Sequence, residues 1–213
     1  MTSKSSNKGK IIQAAKELFN LHGAANVGTN KIAAHLGISP GNLYYHFKNK
    51  EEIIRSIFPE INQATTQALA AADEQETFED ILINGLQNWM TVVWDYRFFY
   101  GNLVQILRND PLLQEQYLLR REATLAFLKH TILTAGSKLP ANDPPLDEST
   151  AEYLATNIWI IALNWIRYLQ IGKSDKDITK NEIEQGAQQI YMVLSPYLDA
   201  ETKQRITGKL PLR

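Results

Sequence analysis

The sequence predicts an all-α protein of about nine helices, with a small three-helix unit at the N-terminus and a larger helical domain behind it. Three observations carry this expectation. Apolar residues recur every three or four positions along most of the chain, and no stretch alternates as a half-buried strand does. Cap signatures punctuate the pattern: Ser39-Pro40, Asn49 with Glu52, Asp110-Pro111 and Thr179 with Glu182. Between Thr29 and Lys50, T-N-K-I-A-A-H-L-G-I-S-P-G-N-L-Y-Y-H-F-K-N-K reads as two short helices joined by a tight turn, then the cap of a third.

Taken in order, residues 1–8 are small and polar and expected to be disordered. The first helix runs from about Gly9 to Leu21, with Ile11, Ala14, Ala15, Leu18 and Phe19 on one face and His22-Gly23 as its stop. Thr29 is the expected cap of the second helix, whose inner face is Ile32, Ala33 and Leu36. Gly37 supplies the left-handed turn, and Ser39 then caps a third helix with Pro40 at its first position. Leu43 and Phe47, four apart, give that helix its buried side. Asn49 caps a fourth helix and Glu52 reaches back to its N–H. Pro59 lies well inside this helix, removes the bond to the Arg55 carbonyl and predicts a kink or a restart near Phe58.

The expected division is 1–50 for the N-terminal unit, 50–72 for a linking fourth helix, and 73–213 for the second domain, with a joint at Asp73–Thr77. A helix with Phe78, Ile81, Leu82, Leu86, Trp89, Met90, Val93 and Trp94 opens that domain, and Tyr96–Leu107 reads as one short helix. The next runs from Pro111 to about Ala135-Gly136, with Leu118, Leu125, Leu128 and Ile132 as its stripe and Phe127 beside it. Leu139–Asp147, rich in proline, is a loop. Two further helices, about Glu148–Ile171 and from Thr179 to Ser195-Pro196, look like a pair.

Composition narrows the function. The absence of cysteine excludes disulfides, thiolate catalysis and cysteine-ligated zinc, which suits a reducing cytoplasm. No apolar core follows Met1 and the most apolar run, Ile158–Ile166, is too short to cross a bilayer, so a cytoplasmic protein without a membrane partner is expected. The net charge of −1 hides an asymmetry. Residues 1–50 hold seven lysines against the single acid Glu17, whereas the rest holds 15 basic and 22 acidic residues. A basic end on an acidic body points to a polyanion. The four histidines show no metal-ligand spacing, there is no glycine-rich phosphate loop, and the acids are scattered, so no catalytic residue, metal or cofactor is expected, and no enzyme.

The run T-x-x-I-A-x-x-x-G-I-S-x-G-x-L-Y-x-H-F-x-x-K-E, from Thr29 to Glu51, resembles the DNA-binding signature of the tetracycline-repressor (TetR) family of bacterial transcriptional regulators. The resemblance covers roughly the first quarter of the chain. It implies that Thr29, Asn30, Lys31, Ser39, Gly41, Asn42, Tyr44, Tyr45, His46 and Lys50 face double-stranded operator DNA. The amide of Asn42 suits bidentate pairing with adenine, while Tyr44 and His46 suit phosphates. Lys50, at a helix start, suits a phosphate too. No arginine occurs in residues 1–50, so the commonest guanine contact is missing and affinity leans on lysines and dimerisation.

The helix about Glu148–Ile171 is apolar nearly all round and must be covered on both sides. By resemblance, the last two helices form a four-helix bundle across a two-fold axis, which implies a homodimer through Leu154, Ile158, Ile161, Trp165, Leu169, Ile190 and Leu194; full burial in one subunit is the alternative. Trp89, Trp94, Phe98, Phe99, Tyr117, Phe127 and Trp159 suggest a pocket for an apolar or aromatic small-molecule effector. The expected function is a sequence-specific transcriptional regulator, in this family most often a repressor, released from its operator by that effector. The rival is a helical protein-interaction module with no specific DNA target.

Overall fold

Several helices of this protein start or stop where a side chain or a glycine satisfies the open end of the backbone. The structure is a computed structural model that describes residues 7–70, 77–136 and 146–209, and every regular element among them is helical. The α-helices are α1 (Asn7–His22), α2 (Thr29–Leu36), α3 (Pro40–His46), α4 (Lys50–Leu69), α5 (Phe78–Asp95), α6 (Arg97–Gly101), α7 (Leu103–Asn109), α8 (Pro111–Gly136), α9 (Glu148–Gly172), α10 (Lys180–Leu194) and α11 (Ala200–Lys209). Eleven stand among the described residues where nine were expected. Tyr96–Leu107 is two helices, parted where Asn102 leaves helical geometry at φ −120°, and α11 has too little apolar content to stand out in the sequence.

Several caps fall where the sequence places them. Gly37 closes α2 in the left-handed conformation at φ 65°, Ser39 accepts from the Asn42 N–H, and Thr179 and Glu182 form a full capping box. Two caps differ. The N-cap of α2 is Gly28, not Thr29, so the Thr29 hydroxyl is released for another contact. At α4, Asn49 accepts from the Glu52 N–H as expected, but the Glu52 carboxylate accepts from the Lys48 N–H at 2.7 Å, one residue before the predicted donor. Pro59 does not break α4: the helix, 20 residues in all, continues through it, with proline on the exposed side. The loop expected at Leu139–Asp147 and the joint at Asp73–Thr77 lie largely outside the described residues, as do residues 1–6.

The chain divides into two compact units. One takes the residues through Gln63 together with Asp95–Gln116, and the other takes Ala64–Trp94 with the residues from Tyr117 onward. The segment 95–116, expected in the second domain, therefore joins the first unit. Its bonds explain why. Asn20 on α1 donates to the Asp95 carbonyl at 2.7 Å and accepts from the Phe98 N–H at 3.1 Å, fastening the start of α6 to α1. Phe98 packs on Phe19 with ring centroids 5.2 Å apart, and Phe99 stacks on Phe58 at 5.7 Å. Arg55 of α4 pairs with Asp110, the buried cap of α8, at 2.6 Å. The core proper of this unit is Ile11, Ala15, Phe19, Ile32, Leu43, Phe47 and Ile53, all sealed from solvent.

In the second unit α9 and α10 pack along each other. Gly186 of α10 permits this contact: a Cβ there would lie 2.6 Å from Met90 Cε and 2.7 Å from Trp165 Cδ1. The Trp165 indole N–H donates to the Glu182 carbonyl at 2.8 Å, fixing the register of the pair. α11 closes the unit by burying Ile206 with Ile83, Tyr191 and Leu198, while Arg205 and Lys209 pair with Glu79 and Asp80 at the start of α5.

Candidate nucleic-acid interface

Helix α3 divides by face as its sequence requires. Leu43 and the following Phe47 are sealed against the unit, while Asn42 and Tyr45 stand outside, Tyr45 with 86% of its surface exposed. Tyr44 is half-exposed, and its hydroxyl bonds the Thr29 hydroxyl of α2 at 3.1 Å. That bond joins the two helices of the motif on their outer side and uses the oxygen that Gly28 left free by taking the cap. Tyr45 and His46 meet edge to face with centroids 5.1 Å apart. Asn30, Lys31, Ser39 and Gly41 are exposed on the same two helices.

The lysines divide into braced and free. Lys50 turns its ammonium onto the Ala24 carbonyl at 2.8 Å, which leaves it two donors. Lys8, expected in a loose tail, lies in α1 and sits over the Phe47 ring at 5.3 Å, a cation–π contact. Lys10, Lys31 and Lys48 are exposed. The surface therefore offers the amides of Asn30 and Asn42, aromatic hydroxyls and a scatter of cations, a chemistry that matches phosphates and base edges.

The expected effector residues do not all converge. Trp89, Tyr117 and Trp159 cluster in the second unit, with Trp159 centroids 5.9 Å from Trp89 and 6.4 Å from Tyr117. Trp94 is half-buried in the same unit. Phe98 and Phe99 are core residues of the first unit, because α6 is fastened to α1. Phe127 is 46% exposed and forms one wall of a cavity of about 120 Å³ with Thr66, Leu69, Arg120, Ala123 and Thr124. A larger cavity, about 260 Å³, lies in the first unit beside Lys50, Ile54, Ile106 and Leu113.

The residues expected to pair two copies need a similar correction. Leu154, Ile158, Ile190 and Leu194 are buried within the single chain, and Ile161, Trp165 and Leu169 are half-buried. A second copy cannot reach the buried four. The outward stripe of α9 is instead Tyr153, Ile160, Tyr168 and Ile171, with Met192 exposed on α10. These residues recur at seven, eight and three positions, the period of one helix face.

A helix-turn-helix with a buried seam and a polar outer face defines a DNA-binding protein of the regulator class. The comparisons agree. The sequence profile described as "Bacterial regulatory proteins, tetR family" matches residues 11–57, and that of "Bacterial transcriptional repressor" matches residues 61–206. A helix-turn-helix-type transcriptional regulator of Staphylococcus aureus (strain bovine RF122 / ET3-1) is 31% identical over 77 residues, 36% of this chain and 42% of that relative. The chain thus spans less than half the length of that curated relative. The solved TetR-family transcriptional regulator from Marinobacter aquaeolei VT8 is 33% identical, with a TM-score of 0.84 over 96% of this chain and 97% of that one. A bacterial regulatory protein in the tetR family from Rhodococcus RHA1 is 25% identical, with a TM-score of 0.66 over 93% and 100%. The chain belongs to the TetR family of bacterial regulators.

Proposed function

We propose that this protein is a homodimeric transcriptional regulator that holds operator DNA through α3 and releases it when a small molecule binds the second unit. The observation that carries the reading is the division of α3, with Leu43 and Phe47 inside and Asn42, Tyr44 and Tyr45 outside. Asn42 reads a base; Thr29, Asn30, Lys31, Tyr44, His46 and Lys50 set the register on phosphates. One such unit covers only a few base pairs, so specificity needs two copies on half-sites a helical turn or a multiple of it apart. The outward stripe Tyr153, Ile160, Tyr168 and Ile171 supports that pairing, since a row of large apolar side chains in water is stabilised by a second copy. Helix α4 runs unbroken from the first unit into the second and is the covalent path for the signal. An effector that prefers one dimer spacing shifts the population toward it. No helix among the described residues is long and apolar enough to cross a membrane, and the proposed place of action is the cytoplasm. A gel shift with the DNA upstream of its own gene tests the reading: the complex forms and survives unrelated competitor DNA. Equal competition by unrelated DNA would support a protein-interaction module instead.

A further inference from the structure

The inward stripe of α8 is not the one its leucines suggest. Leu118, expected inside, is exposed, and the buried positions are Leu113, Tyr117, Thr124 and Leu128. Arg120 falls on that stripe, between Tyr117 and Thr124, where the pattern calls for an apolar side chain. Its Nη2 donates to Thr66 Oγ1 at 2.7 Å, and its Nε–H is buried with no partner. Among the described residues no carboxylate pairs with it, and no acid lines the cavity of about 120 Å³ beside it. The remaining walls are Leu69, Ala123, Thr124 and Phe127.

A half-buried guanidinium whose Nε–H is shut from water with no acceptor is incompletely satisfied, and the group that satisfies it best is an anion accepting from both Nε and Nη2. The Thr66 hydroxyl holds the place of one oxygen of such an anion. The cavity sets the size: a dry cavity of roughly 150 Å³ takes benzene, so this one takes a single ring or a short chain. We propose that Arg120 and this cavity form the effector site of the second unit and that the effector is a small carboxylate with an apolar body. The carboxylate bridges Nε–H and Nη2–H in place of the Thr66 hydroxyl, and the body lies against Leu69, Ala123 and Phe127. This rests on the reading that the second unit receives an effector.

Calorimetry on the full-length protein tests the site with benzoate and butyrate against the uncharged isosteres benzamide and butyramide, followed by release of bound operator DNA. At least one carboxylate binds, and its amide binds about tenfold more weakly or worse, because the charge-assisted bidentate contact is lost. Arg120→Gln weakens carboxylate binding by a similar factor while its helical circular dichroism and operator affinity stay at the unsubstituted level. Phe127→Trp, at a half-exposed position, fills the cavity and weakens binding with Arg120 in place. Carboxylate and amide binding equally, or neither carboxylate binding at about 10 mM, overturns the site; if operator DNA is still bound, the regulator reading survives. Selective carboxylate binding by a protein that ignores its operator keeps the site and overturns the regulator reading instead.

Discussion

At the residue scale, the proposed interface gives Asn42 and Lys50 different work. Asn42 is exposed on α3 with only its backbone N–H engaged, by Ser39, so its amide is available to a base edge. Replacing it with alanine relaxes base preference at one operator position, by about tenfold in a competition assay, and leaves other positions unchanged. Lys50→Ala weakens all sequences alike and lowers the salt slope of binding by about one. An unchanged slope would assign Lys50 solely to bracing the Ala24 carbonyl. Away from the DNA, Glu182 is held at about 2, below its ordinary 4.5, first by the Lys173 ammonium and then by the Thr179 amide and hydroxyl. A depressed carboxylate stabilises the fold above its ordinary range and loses that contribution as pH falls toward 2. The difference in melting temperature between the wild type and Glu182→Gln should accordingly be constant above about pH 5 and shrink steadily in acid. The sequence shows this capping box plainly, because Thr179 and Glu182 are three residues apart. It does not show that Lys173 reaches the same carboxylate, since that depends on how the chain turns between α9 and α10.

At the element scale, helix existence was legible and helix orientation was not. Periodicity marked α1, where all five predicted inner residues are buried. It misplaced the stripe of α8, where leucines occupy both faces and Arg120 and Thr124 stand on the inner one. On α9 the apolar residues surround the helix, and the sequence could not say which side the chain itself covers. Packing against α10 settles that, through Gly186 and Trp165. Gly186→Ala places a methyl group within 2.7 Å of the Trp165 ring. It should cost roughly 1–2 kcal/mol, the overpacking penalty less the gain in helix propensity, seen as a lower urea midpoint at unchanged slope. Pro59 is the opposite case. Its local rule predicts a disturbed helix, and α4 continues nonetheless, flanked by the buried Ile57, Phe58 and Ile61. Tertiary burial outweighs the one lost backbone bond.

At the scale of the whole molecule, the signature of the first fifty residues was legible because it is contiguous and its caps are local. The membership of segment 95–116 in the first unit was not, because it depends on Asn20, Phe19 and Arg55 meeting residues more than fifty positions away. The same holds for the surface left to a partner. Ile160→Asp, on the outward stripe of α9, puts a charge where a second copy would press. Sedimentation should show a monomer with unchanged helix content and operator affinity weaker by about a hundredfold or more, since half of each site is lost. A dimer of unchanged strength would move the interface elsewhere. The central claim, that two copies of α3 read one operator, is tested most directly by footprinting on the DNA upstream of the gene. The account predicts two protected half-sites on one face of the duplex, with centres about 10 base pairs or a multiple of that apart, resistant to unrelated competitor DNA. A single short protected patch, or protection erased equally by any DNA, would contradict it.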